Sequence, residues 1–218
     1  MDTQPNRTGS DMREYASFEE TARFHGHTCP GLAMGYRAAI TAMEALGVER
    51  PKDEELVAIA ETDACGVDAI QFVTGCTAGK GNLVIRDYGK HVFTFYDRRN
   101  GRAVRVLILP NDMRERTEMD ELRKKVFTGI ADGKETKRFY QLMSEVTGKL
   151  LGLPVEQVLK IEEVHIEPPN KARIFTSIAC AGCGEPVADA KTRTLGEKKV
   201  CIPCYERESR KIESCSDS

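Results

Sequence analysis

The chain has 218 residues, of which 30% are charged and 40% hydrophobic, with a formal net charge of −2. That length buries a core in one or two domains, and the charge balance gives no support for nucleic acid or an anionic membrane as the main partner. Residues 1–14 are polar, lack the apolar stretch of a secretory leader and read as disordered; no apolar run approaches the ~20 residues of a bilayer crossing, so the expected location is cytoplasmic.

Ser17 with Glu20 forms a capping-box pattern that opens a helix over 18–25. A second helix is expected over 30–46, with Leu32, Tyr36, Ile40, Met43 and Leu46 on one face and Gly47 as its stop. Residues 56–61 suit a buried strand, and 67–74 suit a helix starting just after Cys65. Segments 83–86, 91–96 and 102–109 are rich in β-branched and aromatic residues, and Asn100-Gly101 joins the last two as a hairpin turn. Helices are expected over 118–127 and 135–151, the second ended by Gly152 and Pro154, with a final strand over 158–167. Pro168-Pro169-Asn170 marks a boundary between a core domain, 15–168, and a smaller domain, 169–218. Strands and helices interleave imperfectly, which predicts an α+β fold with a mixed sheet flanked by helices.

Eight cysteines in a chain of this compartment point to metal or catalytic roles. The first cluster is Phe24-His25-Gly26-His27-Thr28-Cys29-Pro30-Gly31. In an extended backbone His25, His27 and Cys29 point the same way, and imidazole with thiolate suits Zn, Fe, Ni or Cu. Pro30 sets Cys29 at or just before a helix start, which favours its thiolate. Cys65, at a strand end, is the expected further ligand, so His27, Cys29 and Cys65 are assigned as metal ligands with one position open. Zinc is the expected core ion, with Fe or Ni as the other choices. Asp68, one turn on, can hold a histidine N–H; His25, Asp68 and Cys76 are assigned catalytic roles. Plainer readings stand beside these: His25 as a helix C-terminal residue, Cys76 as a small buried hydrophobe, and His91 and His165 as structural strand residues.

The segment Gly75-Cys76-Thr77-Ala78-Gly79-Lys80-Gly81-Asn82 fails as a phosphate loop, because its spacing is one residue short and a strand follows it. It reads either as a backbone nest for an anionic cofactor, through Thr77, Gly79 and Lys80, or as a tight connection.

Cys180, Cys183, Cys201 and Cys204 give C-x2-C-x17-C-x2-C, a specific zinc signature. Four thiolates leave no open position, so this zinc is expected to be structural. A helix over 205–213, starting at the second pair, makes a treble-clef finger. From residue 170 on, nine basic residues meet seven acidic ones. With the zinc-thiolate charge the sum is near zero, which points to a protein partner rather than nucleic acid.

The first cluster, with Cys65-Gly66-Val67-Asp68-Ala69-Ile70-Gln71 and the Gly75-to-Asn82 segment, closely resembles the FmdE-like family, named for a component of formylmethanofuran dehydrogenase. The resemblance runs over roughly residues 15–165 and extends to the finger that some members add. It implies a thioredoxin-like α+β core, a metal-binding active site, an accessory treble-clef finger, and an association with molybdenum or tungsten formylmethanofuran dehydrogenase. No dinucleotide fingerprint or ferredoxin cysteine run is present. The expectation is a metal-binding accessory subunit or orphan metalloenzyme of one-carbon metabolism. The alternative is a non-enzymatic assembly, metal-delivery or docking module that binds a partner through the finger. A homodimer is expected from the family and from the exposed edges of a small mixed sheet.

Overall fold

Helix α1 (Phe18–His25) begins where Ser17 Oγ accepts the Glu20 N–H at 3.2 Å and the Glu20 carboxylate accepts the Ser17 N–H at 2.8 Å. The computed structural model describes residues 15–110 and 113–216, with 211–216 described by backbone alone. The expectation for 1–14 therefore lies outside the described residues, as does the Cys215 side chain.

In the larger unit, which ends at Lys171, the elements after α1 are α2 (Pro30–Leu46), β1 (Leu56–Ala60), α3 (Gly66–Thr74), β2 (Leu83–Ile85), β3 (Val92–Asp97) and β4 (Ala103–Ile108). Then follow α4 (Arg114–Phe127), α5 (Gly133–Gly152), α6 (Val155–Val158) and β5 (Leu159–Val164). The strands form one sheet in the order β2-β1-β3-β4-β5. β1 runs parallel to β2 and antiparallel to β3, and the remaining pairs are antiparallel. The fold is α+β with a mixed sheet flanked by helices.

Register explains the core. Ala58 faces Phe95, which faces Val104, so these side chains share one side of the sheet. That side packs against Ala38, Ala42 and Met43 of α2, Ile70 of α3 and Leu142, Val146 and Leu150 of α5. The alternate residues Val57, Tyr96 and Ala103 form a smaller buried group on the other side. On α2 the alanines at 38, 39 and 42 are as completely buried as Met43, whereas Tyr36 and Ile40 are half-buried. Small residues line the face where the helix meets two neighbours.

Pro169 and Asn170 stay with the larger unit because Arg98 donates to their carbonyl oxygens at 2.7 and 2.9 Å. The second unit starts at Ala172. It holds two hairpins, β6 (Ser177–Ala179) with β7 (Pro186–Ala188) and β8 (Thr192–Leu195) with β9 (Lys198–Cys201), then α7 (Ile202–Ser216).

α5 ends at Gly152 as expected, but its C-cap is Leu153 in an extended conformation rather than a left-handed glycine. Arg37 of α2 caps it instead, donating from one nitrogen to the Leu150 oxygen at 2.7 Å and the Leu153 oxygen at 2.5 Å. Charged donors to otherwise unpartnered carbonyls contribute about 1.5–3 kcal/mol. Arg37→Met is therefore expected to lower the melting temperature of the larger unit by roughly 4–8 °C. A calorimetric melt unchanged by the substitution would count against this cap.

Candidate metal centre

The convergence of His25, His27 and Cys29 comes from a helix end meeting a helix start, not from an extended segment. His25 is the last residue of α1. Gly26 follows with φ +94°, the left-handed conformation that lets the chain turn back at once. Cys29 is then the N-cap of α2, and its Sγ accepts the Leu32 N–H at 3.4 Å. Phe24 stacks on Phe72 of α3 at 5.3 Å and fixes the turn against its neighbour.

The donor atoms of His25, His27 and Cys29 all lie within 4.8 Å of one another. His25 Nδ1 is bonded to Asp68 Oδ2 at 2.7 Å, so Nε2 is the ring nitrogen that faces Cys29 Sγ, 4.0 Å away. Gln71 Nε2 donates to the other Asp68 oxygen at 3.4 Å and holds the carboxylate in place. A carboxylate fixing one histidine nitrogen while the other faces the ligand position is the usual support of a metal ligand. Zn–N and Zn–S bonds of ~2.0–2.3 Å would draw the three donors in by about an ångström. The exposed His27 has the freedom for that movement.

Cys65 stands beside this trio. A Cβ on Gly31 would lie 3.4 Å from Cys65 Cβ and 4.0 Å from Cys29 Sγ, so the two cysteines meet across the glycine-lined contact of α2 and α3. The expected thiolate preference at Cys29 is corrected. Burial pushes its thiol up to about 11; the Leu32 N–H pulls the other way, and the adjacent Cys65 adds to the rise. Desolvation outweighs the helix start, so a metal has to displace a held proton there.

The structure gathers His25, His27 and Cys29 into one donor cluster with Asp68 behind His25, while Cys65, read from the sequence as a ligand, lies beside Cys29 but outside that cluster. It places His25, read from the sequence as catalytic, among the donors. It does not bring Cys76, Thr77, Gly79 or Lys80 to them. The Cys76 thiol is fully buried, donates to the Leu56 oxygen at 3.3 Å, and is pushed up to about 11 by burial. In the loop that follows, the Thr77 N–H is taken by Asn82 Oδ1 at 3.0 Å and the Lys80 N–H by Thr77 Oγ1 at 3.3 Å. Lys80 Nζ donates to the Asp53 oxygen at 3.2 Å. The loop spends these donors on itself and on the 53–56 segment, as a tight connection does.

A pocket of about 310 Å³ opens in front of Cys29, Cys65 and His27, walled by Met34, Phe139 and Met143 among others. Sequence reasoning missed three of its residues. His91, read as a structural strand residue, lies exposed just before β3 and lines this pocket; Arg116 and Arg123 of α4 line it too. A histidine at a strand start is the one signal that was present. His165 lies just past β5, away from this pocket.

In the second unit Cys180, Cys183, Cys201 and Cys204 also gather their sulfurs within 4.8 Å. Tetrahedral zinc with ~2.3 Å bonds sets sulfurs about 3.8 Å apart, and Cys183 and Cys201 lie 3.9 Å apart. Cys180 Sγ accepts the Cys201 N–H at 3.2 Å and the Gly182 N–H at 3.3 Å. Amide N–H groups, that of Cys201 foremost, hold its thiol down at about 6, ready to bind metal. A side chain at Gly182 would press on Cys204 Sγ at 3.0 Å.

The fold and these two clusters define a metal-binding α+β protein with a four-cysteine finger. Residues 24–160 match the family described as "FmdE, Molybdenum formylmethanofuran dehydrogenase operon", and residues 173–210 match "Prokaryotic dksA/traR C4-type zinc finger". The chain belongs to the FmdE family. It is 37% identical over 188 residues to the "Probable S-adenosyl-L-methionine-binding protein" of Archaeoglobus fulgidus. That alignment covers 83% of this chain and 50% of the relative, so the chain spans half the length of this curated protein. The crystal structure of a tungsten formylmethanofuran dehydrogenase FmdE-like protein from Syntrophus aciditrophicus shares the fold with a TM-score of 0.57 and 26% identity. The match covers 87% of this chain and 92% of that one. Among the described residues no helix is long and apolar enough to cross a membrane.

Proposed function

We propose that the larger unit is a metal-dependent ligand-binding module of one-carbon metabolism, an accessory subunit or orphan metalloenzyme, with the finger as a zinc-stabilised appendage. The observation that carries this is the convergence of His25 Nε2, His27 and Cys29 Sγ at the edge of a ligand-sized pocket. Two imidazoles and a thiolate suit zinc first and iron or nickel next. Cys65 either completes the set or leaves a position for ligand. An ion held there would supply Lewis acidity to the ligand. The chain's own residues do the rest: Asp68 and Gln71 orient His25, and the methionine and phenylalanine walls exclude water. The compound named for the Archaeoglobus relative, S-adenosylmethionine, belongs among the first ligands screened.

The test is metal content of the full chain. Wild type is expected to hold one metal per cluster, and Cys29→Ala is expected to lose the core metal while keeping the finger's zinc. Asp68→Asn is expected to weaken core binding by about 10–100-fold, the usual effect of removing a ligand's supporting carboxylate. Cys29→Ala with wild-type stoichiometry would remove the basis of the proposal.

A further inference from the structure

Two cysteines stand at the starts of two helices that touch. Cys29 is the N-cap of α2 and Cys65 the N-cap of α3. Glycines let the two helix backbones close to contact, since a Cβ on Gly35 would stand 2.3 Å from the Gly66 oxygen. Both N-caps are thereby carried to one pocket, which both line. The methyl that Gly31 lacks would touch each of them, Cys65 Cβ at 3.4 Å and Cys29 Sγ at 4.0 Å. Cys65 is close enough to act on the Cys29 thiol as a hydrogen-bond partner and as a like charge. The pair is unequal. Cys29 is 7% exposed, and its Sγ accepts the Leu32 N–H. Cys65 is half-buried and its side chain makes no cap bond, so it can turn about χ1 without giving up a partner there. The donor cluster uses Cys29 and leaves Cys65 outside it. Cys76, the remaining cysteine of the larger unit, is fully buried and donates to the Leu56 oxygen, so Cys29 is the thiol within reach of Cys65.

We propose that Cys29 and Cys65 form a redox modification site: a peroxide joins them in a disulfide, and that disulfide and the core metal exclude each other. The inference rests on the reading of His25, His27 and Cys29 as a metal site. The chemistry starts at Cys65, the more open of the two. Its sulfur attacks one peroxide oxygen, the O–O bond breaks, and the other oxygen leaves as water with the thiol proton. Cys29 Sγ then attacks the sulfur of this sulfenic acid, the S–O bond breaks, and the hydroxyl leaves as water with the Cys29 proton. Two thiols have lost two electrons and one peroxide has gained them. Cys29 then has no thiolate to offer, the trio is reduced to two imidazoles, and the ion is released. An ion already held on Cys29 Sγ blocks the second step in turn.

The test adds hydrogen peroxide to the zinc-loaded full chain, alkylates the thiols that remain, and maps peptides by mass spectrometry alongside metal content. The expected result is a pair of peptides joined through Cys29 and Cys65, with loss of one zinc per chain. Dithiothreitol with zinc is expected to reverse both, and excess zinc added beforehand to slow the joining. Cys65→Ser keeps a favoured N-cap residue and is expected to retain its core zinc through the same treatment, read against that variant's own starting content. The finger is identical in the two chains, so the difference between them reports the core. If Cys65→Ser starts with less metal, the peptide map and metal loss of the wild type decide alone. Cys29 and Cys65 alkylated separately after peroxide, or joined while the core zinc stays bound, overturns the inference. A wild-type chain that holds only the finger's zinc at the outset overturns the metal reading and this one with it, a failure seen before any peroxide is added.

Discussion

Cys183→Ser should release the finger's zinc and unfold residues 172–216, while the melting transition of the larger unit stays in place. Cys183 is the exposed member of the four, so exchanging its sulfur for oxygen disturbs almost no packing. Any loss of structure then reports the metal. Among the described residues the finger has little else to hold it: Cys180, Val200 and Cys204 are the buried apolar ones, with Val187, Leu195, Cys201 and Tyr205 partly covering them. Two of those three buried residues are themselves zinc ligands. Structural zinc binding contributes on the order of 10–16 kcal/mol in comparable fingers, far more than a core of this size supplies. Zinc stoichiometry falling by one per chain, with rapid amide exchange confined to 172–216, is the expected result. A variant that keeps both its zinc and its exchange protection would show that the four sulfurs do not hold the finger together.

The finger's four-cysteine site was legible because both of its halves sit at fixed local spacing, whereas its two hairpins were not read and α7 starts at Ile202 rather than 205. The core was legible in parts, for reasons that follow the chain. The Ser17–Glu20 box and Asn100-Gly101 carry their geometry within four residues, so α1 and the β3–β4 hairpin fall where expected. α4 starts at Arg114 rather than 118, because its first turn is polar and Met113 offers no side-chain cap. α5 starts at Gly133, where Asp132 and Glu135 form a second capping box that Gly133 disguises as a turn. β5 stops at Val164 instead of running to 167, because its partner β4 begins at Ala103, opposite Val164. The site divides the same way. His25, His27 and Cys29 are near in sequence, and Cys65 could be placed from its strand-to-helix position. Arg116 and Arg123 could not, since only the packing of α4 and α5 over the sheet brings them to Cys29. The Cys29 thiol also shows the limit of local reasoning: the helix start is visible in sequence, and the burial that outweighs it is not.

Gly35→Ala should be among the most damaging single-methyl changes in the larger unit, at about 3 kcal/mol, the upper end for an overpacked site. A Cβ at Gly35 would stand 2.3 Å from the Gly66 oxygen and 2.5 Å from Gly66 Cα, atoms of the opposing backbone that cannot rotate away. Relief requires α2 and α3 to separate. α3 is pinned from below, because a Cβ on Gly66 would already meet Phe93 Cζ and the Gly31 oxygen at 3.2 Å. α2 is held on its far side by Arg37, which caps α5. The expected fall in melting temperature is roughly 6–12 °C for a unit of this size. The same separation moves Cys65 away from Cys29, so core metal affinity should fall while the finger's zinc, in its own unit, is unaffected. Gly148→Ala is the matched control. It lies inside α5 with nothing within 4 Å of the new methyl, and the better helix propensity should raise stability by about 1 kcal/mol. The same chemical change is thus expected to act with opposite signs on two helices of one unit. If both variants melt like the wild type, α2 and α3 are not in backbone contact, and the placement of Cys65 beside Cys29 loses its cause.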